Sequence, residues 1–161
     1  MTDSLGIRPL AWTERAWLNR HAVANFAELA PELPPPDITH YDRYWSDDDR
    51  HPLAILKNGH RIGFAMIRRT KGQVWELAEI FLEPTHRGAG LGRKAARAIL
   101  CSKPGAWVLG VARRGNARAF WEATLRDADW LNALVKDTPF YPAQSYSYTF
   151  VTHPLIEDHR E

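Results

Sequence analysis

Residues Trp75 to Leu100 read WELAEIFLEPTHRGAGLGRKAARAIL, and this stretch decides the fold. Its first part, Trp75 to Leu82, is dense in apolar residues and predicts a β-strand. A short turn and a glycine-rich loop follow, and a helix is predicted to begin near Arg93. The free N–H groups of a first helical turn and the positive end of the helix dipole favour an anion. The order of these elements therefore predicts an anion-binding loop.

The loop between this strand and this helix has glycine at alternate positions: Gly88, Gly90 and Gly92. It is not a P-loop, because Gly92 is followed by Arg93 and Lys94 instead of Lys and Ser or Thr. It also lacks the dinucleotide fingerprint, in which the third glycine comes three residues after the second. Arg87 and Arg93 bracket the loop, and their forked guanidinium groups are suited to phosphate oxygens. An ordinary strand-to-helix turn with surface arginines is the alternative interpretation.

The spacing Arg-x-x-Gly-x-Gly, from Arg87 to Gly92, resembles motif A of the GNAT N-acetyltransferase superfamily. In that superfamily the loop binds the pyrophosphate of acetyl-CoA, so the resemblance implies acetyl-CoA as the co-substrate. It also implies contacts to acetyl-CoA from the strand end and the loop: Ile80, Phe81, Leu82, Arg87, Gly88, Ala89, Gly90, Leu91, Gly92 and Arg93. An uncharacterised bacterial branch of predicted acetyltransferases in the same superfamily is resembled by three segments together: Pro52 to Ile55, Gly63 to Ala65 and Glu79 to Leu82.

Strand-like segments separated by turn residues predict the rest of a sheet: residues 5–10, 52–57, 61–69, 73–82, 106–111 and 144–152. Asn58-Gly59 and Lys71-Gly72 predict the turns of an antiparallel meander. Segment 106–111 should lie parallel to 75–82 through a right-handed crossover. Thr13 is a good N-cap for a helix that ends before Pro31. The resemblance implies an α+β (α/β) GNAT fold, in which helices flank a mixed, mostly antiparallel sheet of about six to seven strands and a parallel strand pair forms the CoA cleft.

A second segment, Arg113 to Trp121, resembles the GNAT signature Asn-x-x-Ala-x-x-Phe-Tyr/Trp. If Ala117 and Phe120 set the register, Arg114 occupies the asparagine position and Asn116 is displaced by two residues. The resemblance implies that Arg114, Asn116 and Phe120 lie near the cofactor. Many family members use the tyrosine of this signature as the general acid, but indole does not titrate and Trp121 cannot replace it. Three tyrosines are substitutes among which the sequence does not select: Tyr141, Tyr146 and Tyr148.

Glu76 and Glu79 are the two candidates for the base that deprotonates the amine. Glu76 matches by its distance from Arg87 the glutamate of the histone-acetylating branch, and Glu79 matches that of the uncharacterised branch. On an unbroken strand the two would face opposite sides, so only a bulge would let both serve one cleft. A solvated glutamate or a partner for a nearby arginine is the alternative for each. The resemblance also implies that a backbone N–H near Phe81 or Leu82 bonds the thioester oxygen.

An aromatic cluster, Tyr41, Tyr44 and Trp45, would share one face of a short helix. This face either packs on the sheet or forms the wall of an acceptor pocket. The acidic run Asp47 to Asp49 beside it attracts a cationic amine or is a solvated loop. The resemblance implies direct acetyl transfer to a primary amine of a small molecule or peptide. A non-catalytic acyl-CoA-binding regulatory module is the alternative function.

The composition indicates a single domain over residues 1–161, with 45% hydrophobic residues and enough chain to bury a core. The net charge of +2 gives no argument for nucleic acid, since the arginines flank a glycine loop.

Cys101 is the only cysteine, so no internal disulfide can form. The seven histidines have no metal-ligand spacing, so no metal is expected. Without a leader at Met1 to Ser4 or a membrane-length apolar run, we expect a cytoplasmic protein with no membrane partner. Many relatives form homodimers, and the sequence leaves the oligomeric state open.

Overall fold

Seven strands form one mixed sheet in the computed structural model, which describes residues 4–37 and 39–155. The strands are β1 (Leu5–Pro9), β2 (Arg50–Lys57), β3 (His60–Arg69), β4 (Trp75–Leu82), β5 (Gly105–Ala112), β6 (Leu131–Asp137) and β7 (Gln144–Thr152). Their order in the sheet is β1-β2-β3-β4-β5-β7-β6, and β4–β5 is the parallel pair. The α-helices are α1 (Arg15–Leu29), α2 (Arg43–Ser46), α3 (Leu91–Ser102) and α4 (Ala117–Leu125). The predicted fold class is therefore confirmed.

The two faces of the sheet bury separate hydrophobic clusters, because side chains alternate along each strand. One face packs against α3 and α4, with Ile99, Trp107 and Leu109 almost fully buried. The opposite face packs against α1 and α2, with Leu18 and Phe64 buried. No helix in the described ranges is long and apolar enough to cross a membrane.

Strands β4 and β5 pair only at their beginnings, where three residue pairs are in register: Trp75↔Trp107, Glu76↔Val108 and Leu77↔Leu109. Beyond these pairs β4 continues to Leu82 and β5 to Ala112 without forming a ladder with each other. The two strands therefore diverge toward their carboxyl ends. We call the gap between residues 78–82 of β4 and 110–112 of β5 the wedge.

A β-bulge interrupts β4 at Ala78, since Leu77 pairs with Ile67 while Glu79 pairs with the next residue of β3, Met66. The extra residue reverses the alternation of side chains along the strand. As a result Glu76 and Glu79 both face the α1/α2 side, which the cross-strand pairs Arg68↔Glu76 and Met66↔Glu79 also indicate. The bulge that the sequence analysis left as the exception is therefore present, and the opposite faces expected of an unbroken strand do not occur.

Three further sequence expectations differ from the structure. Helix α3 begins at Leu91 rather than Arg93, because Gly90 already occupies the N-cap position. Thr13 is not an N-cap, since it lies inside a 3-10 turn, Trp12–Glu14, where the Glu14 side chain accepts the Ala11 N–H instead. Strand β6 is absent from the strands predicted by sequence, because it is an exposed edge strand with little apolar alternation. Residues 1–3, where the absence of a leader was expected, lie outside the described ranges.

Replacing Gly63 is expected to destabilise the sheet where β3 meets β4. Gly63 lies opposite Leu82, and a Cβ at Gly63 would overlap the carbonyl oxygen of Phe81. Because that oxygen belongs to the ladder, it cannot move away without breaking backbone hydrogen bonds. We expect Gly63→Ala to lower the free energy of unfolding in urea by about 3 kcal/mol. Gly6→Ala is the matched control, since its Cβ would meet Leu56 at an ordinary 3.6 Å. Equal losses in both variants would contradict this description.

Candidate functional site

The glycine-rich loop enters α3 through two left-handed residues, Gly88 with φ 89° and Gly90 with φ 79°. Glycine adopts this conformation at little cost because it lacks a Cβ. The first helical bond runs from the Lys94 N–H to the Gly90 oxygen at 3.2 Å. The backbone N–H groups of the first turn of α3 therefore precede the first helical hydrogen bond. No side chain among the described residues caps this end of the helix. Together with the helix dipole they form a site suited to an anion.

Phe120 of α4 lies directly against the start of α3. A Cβ at Gly92 would approach the Phe120 ring to 3.0 Å and the Leu82 side chain to 4.0 Å. The absence of a side chain at Gly92 therefore lets α3, α4 and the end of β4 meet. This contact joins the two sequence motifs at the mouth of the wedge.

The arginines assigned to phosphate from the sequence have protein partners. Arg87 donates from Nε to the Leu82 carbonyl oxygen at 2.8 Å and forms an ion pair with Glu28 at 2.9 Å. Arg114 pairs with Glu32 at 3.2 Å. Both pairs connect the end of α1 and the segment after it to the loops that flank the wedge. Asn116 precedes α4, is exposed, and makes no side-chain cap to the helix.

A basic cavity of about 290 Å³ adjoins the anion-binding end of α3. It is lined by Gly90, Arg93, Lys94, Arg97, Thr124 and Trp130. Arg93 also donates to the Ala123 carbonyl oxygen at 3.2 Å, which ties α3 to α4. Positive charge is thus concentrated on the side of α3 that faces α4.

The backbone direction of β4 distinguishes Phe81 from Leu82. The Glu83 N–H donates to the Ile62 oxygen of β3 at 2.7 Å. Because successive residues of a strand direct their backbone groups to alternate sides, Phe81 also points toward β3 and Leu82 points toward the wedge. Of the two N–H groups considered from the sequence, only that of Leu82 faces the opening.

Glu79 carries the most unusual carboxylate on the α1/α2 face. Burial raises its pKa to about 7, while hydrogen bonds from Tyr41 and Asn25 oppose the rise. The Asn25 amide donates from Nδ2 to Oε1 of Glu79 at 3.1 Å. Burial, reinforced by Glu79, raises the pKa of Tyr41, so its phenol stays protonated as a donor. The carboxylate thus has two fixed donors and titrates near neutrality.

Glu76 has a different environment on the same face. Arg68 binds it through two hydrogen bonds, Nε to Oε1 at 3.1 Å and Nη2 to Oε2 at 3.2 Å. Both carboxylate oxygens are therefore engaged by one guanidinium. This is the arginine-partner arrangement that the sequence left as the alternative.

The three aromatic residues of the predicted acceptor wall separate in the structure. Tyr41 and Tyr44 are buried in the α1/α2 cluster, and the Tyr41 phenol reaches Glu79. Trp45 instead donates from Nε1 to the Leu10 carbonyl oxygen at 2.9 Å and packs edge-on against Trp12. Only the two tyrosines lie toward the carboxylate.

The three tyrosines considered as proton donors are divided between one face of the sheet and a loop. Tyr146 and Tyr148 are on the α3/α4 face with ring centroids 5.3 Å apart, and burial raises the pKa of Tyr148 to about 12. Tyr141 lies in the loop between β6 and β7.

Sequence reasoning missed Asn25 as a partner of Glu79. The signal available was a polar residue on the buried stripe of α1, which includes Leu18 and Ala22.

Comparisons with known proteins agree with this geometry. None of the curated proteins matches the sequence. An acetyltransferase from Thermus thermophilus is 18% identical, with a TM-score of 0.66 over 94% of this chain and 97% of that one. The spermidine N-acetyltransferase of Vibrio cholerae in complex with CoA and spermine is 14% identical, with a TM-score of 0.66 over 92% and 95%. Aminoglycoside acetyltransferase AAC(6')-Ib with coenzyme A is 16% identical, with a TM-score of 0.67 over 92% and 95%.

These structural likenesses indicate a shared fold. The sequence model of the acetyltransferase (GNAT) family matches residues 11–125, which is most of the chain. The chain therefore belongs to the acetyltransferase (GNAT) family.

Proposed function

We propose that this protein is an N-acetyltransferase that transfers an acetyl group from acetyl-CoA directly to a primary amine. The observation that carries the proposal is Glu79. Its carboxylate lies past the point where β4 leaves β5, and its pKa is about 7. A group with this pKa is partly ionised at neutral pH and can accept a proton from an amine.

The residues around the wedge fit acetyl-CoA as the co-substrate. Gly88 and Gly90 leave open space above the loop, since a Cβ at either would meet nothing within 4 Å. The free N–H groups of α3 would hold a pyrophosphate, and the basic cavity beside Arg93 adds positive charge. Because β4 and β5 diverge, backbone groups of both strands remain available to hydrogen-bond an extended part of acetyl-CoA. When bound, acetyl-CoA would supply an acetyl group activated as a thioester.

The roles of the chain's own residues follow from their directions. The Leu82 N–H, directed into the wedge, would donate to the carbonyl oxygen on which negative charge develops. Glu79 would take the proton of the attacking amine, with Asn25 and Tyr41 holding its carboxylate in place. Tyr146 and Tyr148 are candidate proton donors to the leaving thiolate from the α3/α4 face. Glu76, engaged by Arg68, would serve in positioning rather than in proton transfer.

The acceptor would approach from the α1/α2 side, where Tyr41 and Tyr44 flank Glu79. Solved structures of similar fold include enzymes named for the acetylation of spermidine and of aminoglycosides. Both of these acceptors are amines. A small-molecule or peptide amine is therefore the acceptor class that we propose.

The pH dependence of turnover tests the role of Glu79. Because the carboxylate must be ionised to accept a proton, we expect kcat to rise as pH increases through about 7 and to level off above it. Below pH 7 the slope of log kcat against pH should approach one, as for a single proton. The measurement uses the best acceptor from a panel of phenethylamine, spermidine, kanamycin and a peptide with a free N-terminus.

Glu76→Gln provides the comparison for this profile. It should retain the inflection near pH 7, whereas Glu79→Gln should lose it along with most of the activity. An inflection that is absent from the wild type, or that persists in Glu79→Gln, would contradict the assignment.

A further inference from the structure

An unusual packing arrangement lies across the wedge from Glu79. Gly110 follows Leu109, the last residue of β5 that pairs with β4. Because Leu109 and Val111 point into the α3/α4 cluster, position 110 faces the α1/α2 side. A Cβ at Gly110 would overlap the carboxamide of Gln144. The Gln144 side chain therefore lies flat over β5, on the same face of the sheet as Glu79.

Gln144 holds the loop between β6 and β7 in one shape. Its Oε1 accepts the N–H of Phe140 at 3.0 Å and that of Tyr141 at 3.3 Å. The backbone N–H of Gln144 donates to the Tyr141 carbonyl oxygen at 3.0 Å. Arg113 secures the base of the loop by donating from Nε to the Gln144 carbonyl oxygen at 3.0 Å. Pro139 and Pro142 further restrict the backbone on either side of the two aromatic residues.

The loop presents two large aromatic side chains to solvent. Phe140 is 51% exposed and Tyr141 is 56% exposed. The loop lies at the α1/α2 face, because Phe140 and Tyr141 donate to Gln144, whose carboxamide covers Gly110 on that face. A rigid loop that exposes adjacent aromatic rings at the sheet face that carries Glu79 is suited to binding a ligand.

Three carboxylates on this face already have basic partners. Glu76 is neutralised by Arg68, and Asp47 lies 3.1 Å from Arg43 and 3.6 Å from Arg50. Glu83 lies 3.6 Å from His21 and 4.0 Å from His86. Glu79 has only neutral hydrogen-bond donors, Asn25 and Tyr41. A polycation needs several carboxylates without competing cations. An amine on an apolar or aromatic body needs one carboxylate and an aromatic surface, which also attracts the ammonium group.

We propose that the acceptor is a monoamine carried on an apolar or aromatic body, that Phe140 and Tyr141 select it, and that Gln144 is the positioning residue that holds them. The proposal rests on the N-acetyltransferase function described above. It adds the substrate class and assigns to Gly110 the role of making room for the Gln144 carboxamide.

Phenethylamine and spermidine are the probes for the substrate class. With saturating acetyl-CoA we expect kcat/KM for phenethylamine to exceed that for spermidine by about tenfold or more. A preference for spermidine, or no acetylation of phenethylamine by protein that binds acetyl-CoA, would overturn the proposal. If acetyl-CoA itself does not bind in calorimetry, the proposed N-acetyltransferase function fails, and this inference fails with it.

Variants at Gln144 test its positioning role. Gln144→Ala should raise the KM for phenethylamine about tenfold, because the two aromatic rings lose their fixed place. Its kcat and its affinity for acetyl-CoA should stay near the wild-type values. Gln144→Glu should restore the low KM, since a carboxylate oxygen can accept the same two N–H bonds. A general structural defect would instead lower kcat and acetyl-CoA affinity together, and no carboxylate would selectively rescue KM.

Variants of the aromatic residues complete the test. Phe140→Ala and Tyr141→Ala should each raise the KM for phenethylamine. Val135→Ala is the matched control, because Val135 is a comparably exposed apolar residue on β6 outside the loop. An unchanged KM in both aromatic variants, or an equal rise in Val135→Ala, would contradict the assignment of the loop as the selecting surface.

Discussion

Gly90→Asp is expected to weaken acetyl-CoA binding by about a hundredfold or more, which is about 2.7 kcal/mol. Gly90 is the N-cap of α3, and its left-handed backbone brings the free N–H groups of the first turn to one point. An aspartate there would place a negative charge, and a carboxylate able to bond those N–H groups, where a pyrophosphate would bind. Isothermal titration calorimetry with acetyl-CoA measures the effect.

Two matched variants separate charge from backbone strain at Gly90. Gly90→Asn introduces a side chain of the same size as that in Gly90→Asp, and asparagine also tolerates a positive φ, but it adds no charge. We expect it to lose much less affinity than Gly90→Asp. Gly72→Asp adds the same charge at the same φ of 79°, in a turn remote from the wedge, and should bind acetyl-CoA as the wild type does. Unchanged affinity in Gly90→Asp would refute the loop as the phosphate site.

Glu79→Gln is expected to lower kcat by about 10²- to 10⁴-fold, the usual contribution of a positioned base. The amide keeps the size of the side chain but cannot accept the proton of the amine. Affinity for acetyl-CoA should be unchanged, because Glu79 lies on the α1/α2 face and the glycine loop leads into α3, which packs on the opposite face. Pre-steady-state and steady-state rates at pH 8, where the wild-type carboxylate is ionised, make the measurement.

Glu76→Gln is the control for Glu79→Gln, since both residues lie on the same face of β4. It removes the charge that Arg68 binds and should lower kcat by much less. If Glu76→Gln were the more damaging substitution, the base would have to be reassigned to Glu76. If both variants kept full activity, proton transfer by either carboxylate of β4, Glu76 or Glu79, would be excluded.

The elements around the loop could be predicted because their local signals agree with the final structure. Strand β4 has the bounds read from the sequence, Trp75–Leu82, since a dense apolar run ends at Pro84. Strand β7, Gln144–Thr152, also matches, because its aromatic residues alternate. The parallel pairing of β4 with β5 followed from the helix between them.

The arrangement of side chains around Glu79 could not be predicted, because it depends on tertiary contacts. Nothing in the letters around Ala78 indicates a bulge, yet one extra residue puts Glu76 and Glu79 on the same face. The partners of Glu79 come from α1 and from the segment before α2, which are distant in sequence. The engagement of Arg87 by Glu28 likewise depends on where the end of α1 lies, although the motif suggested a free cation.

Mass-spectrometric detection of an N-acetylated amine, with free CoA measured in the same reaction, tests the proposed chemistry most directly. The protein is incubated with acetyl-CoA and, separately, with phenethylamine, spermidine, kanamycin or a peptide with a free N-terminus. We expect the N-acetyl product and CoA to form in equal amounts with at least one amine, and the rate of formation of both to fall at least about a hundredfold in Glu79→Gln. Acetyl-CoA that binds, but yields CoA at the same rate with and without every amine, would contradict N-acetyl transfer and favour a non-catalytic acyl-CoA-binding module.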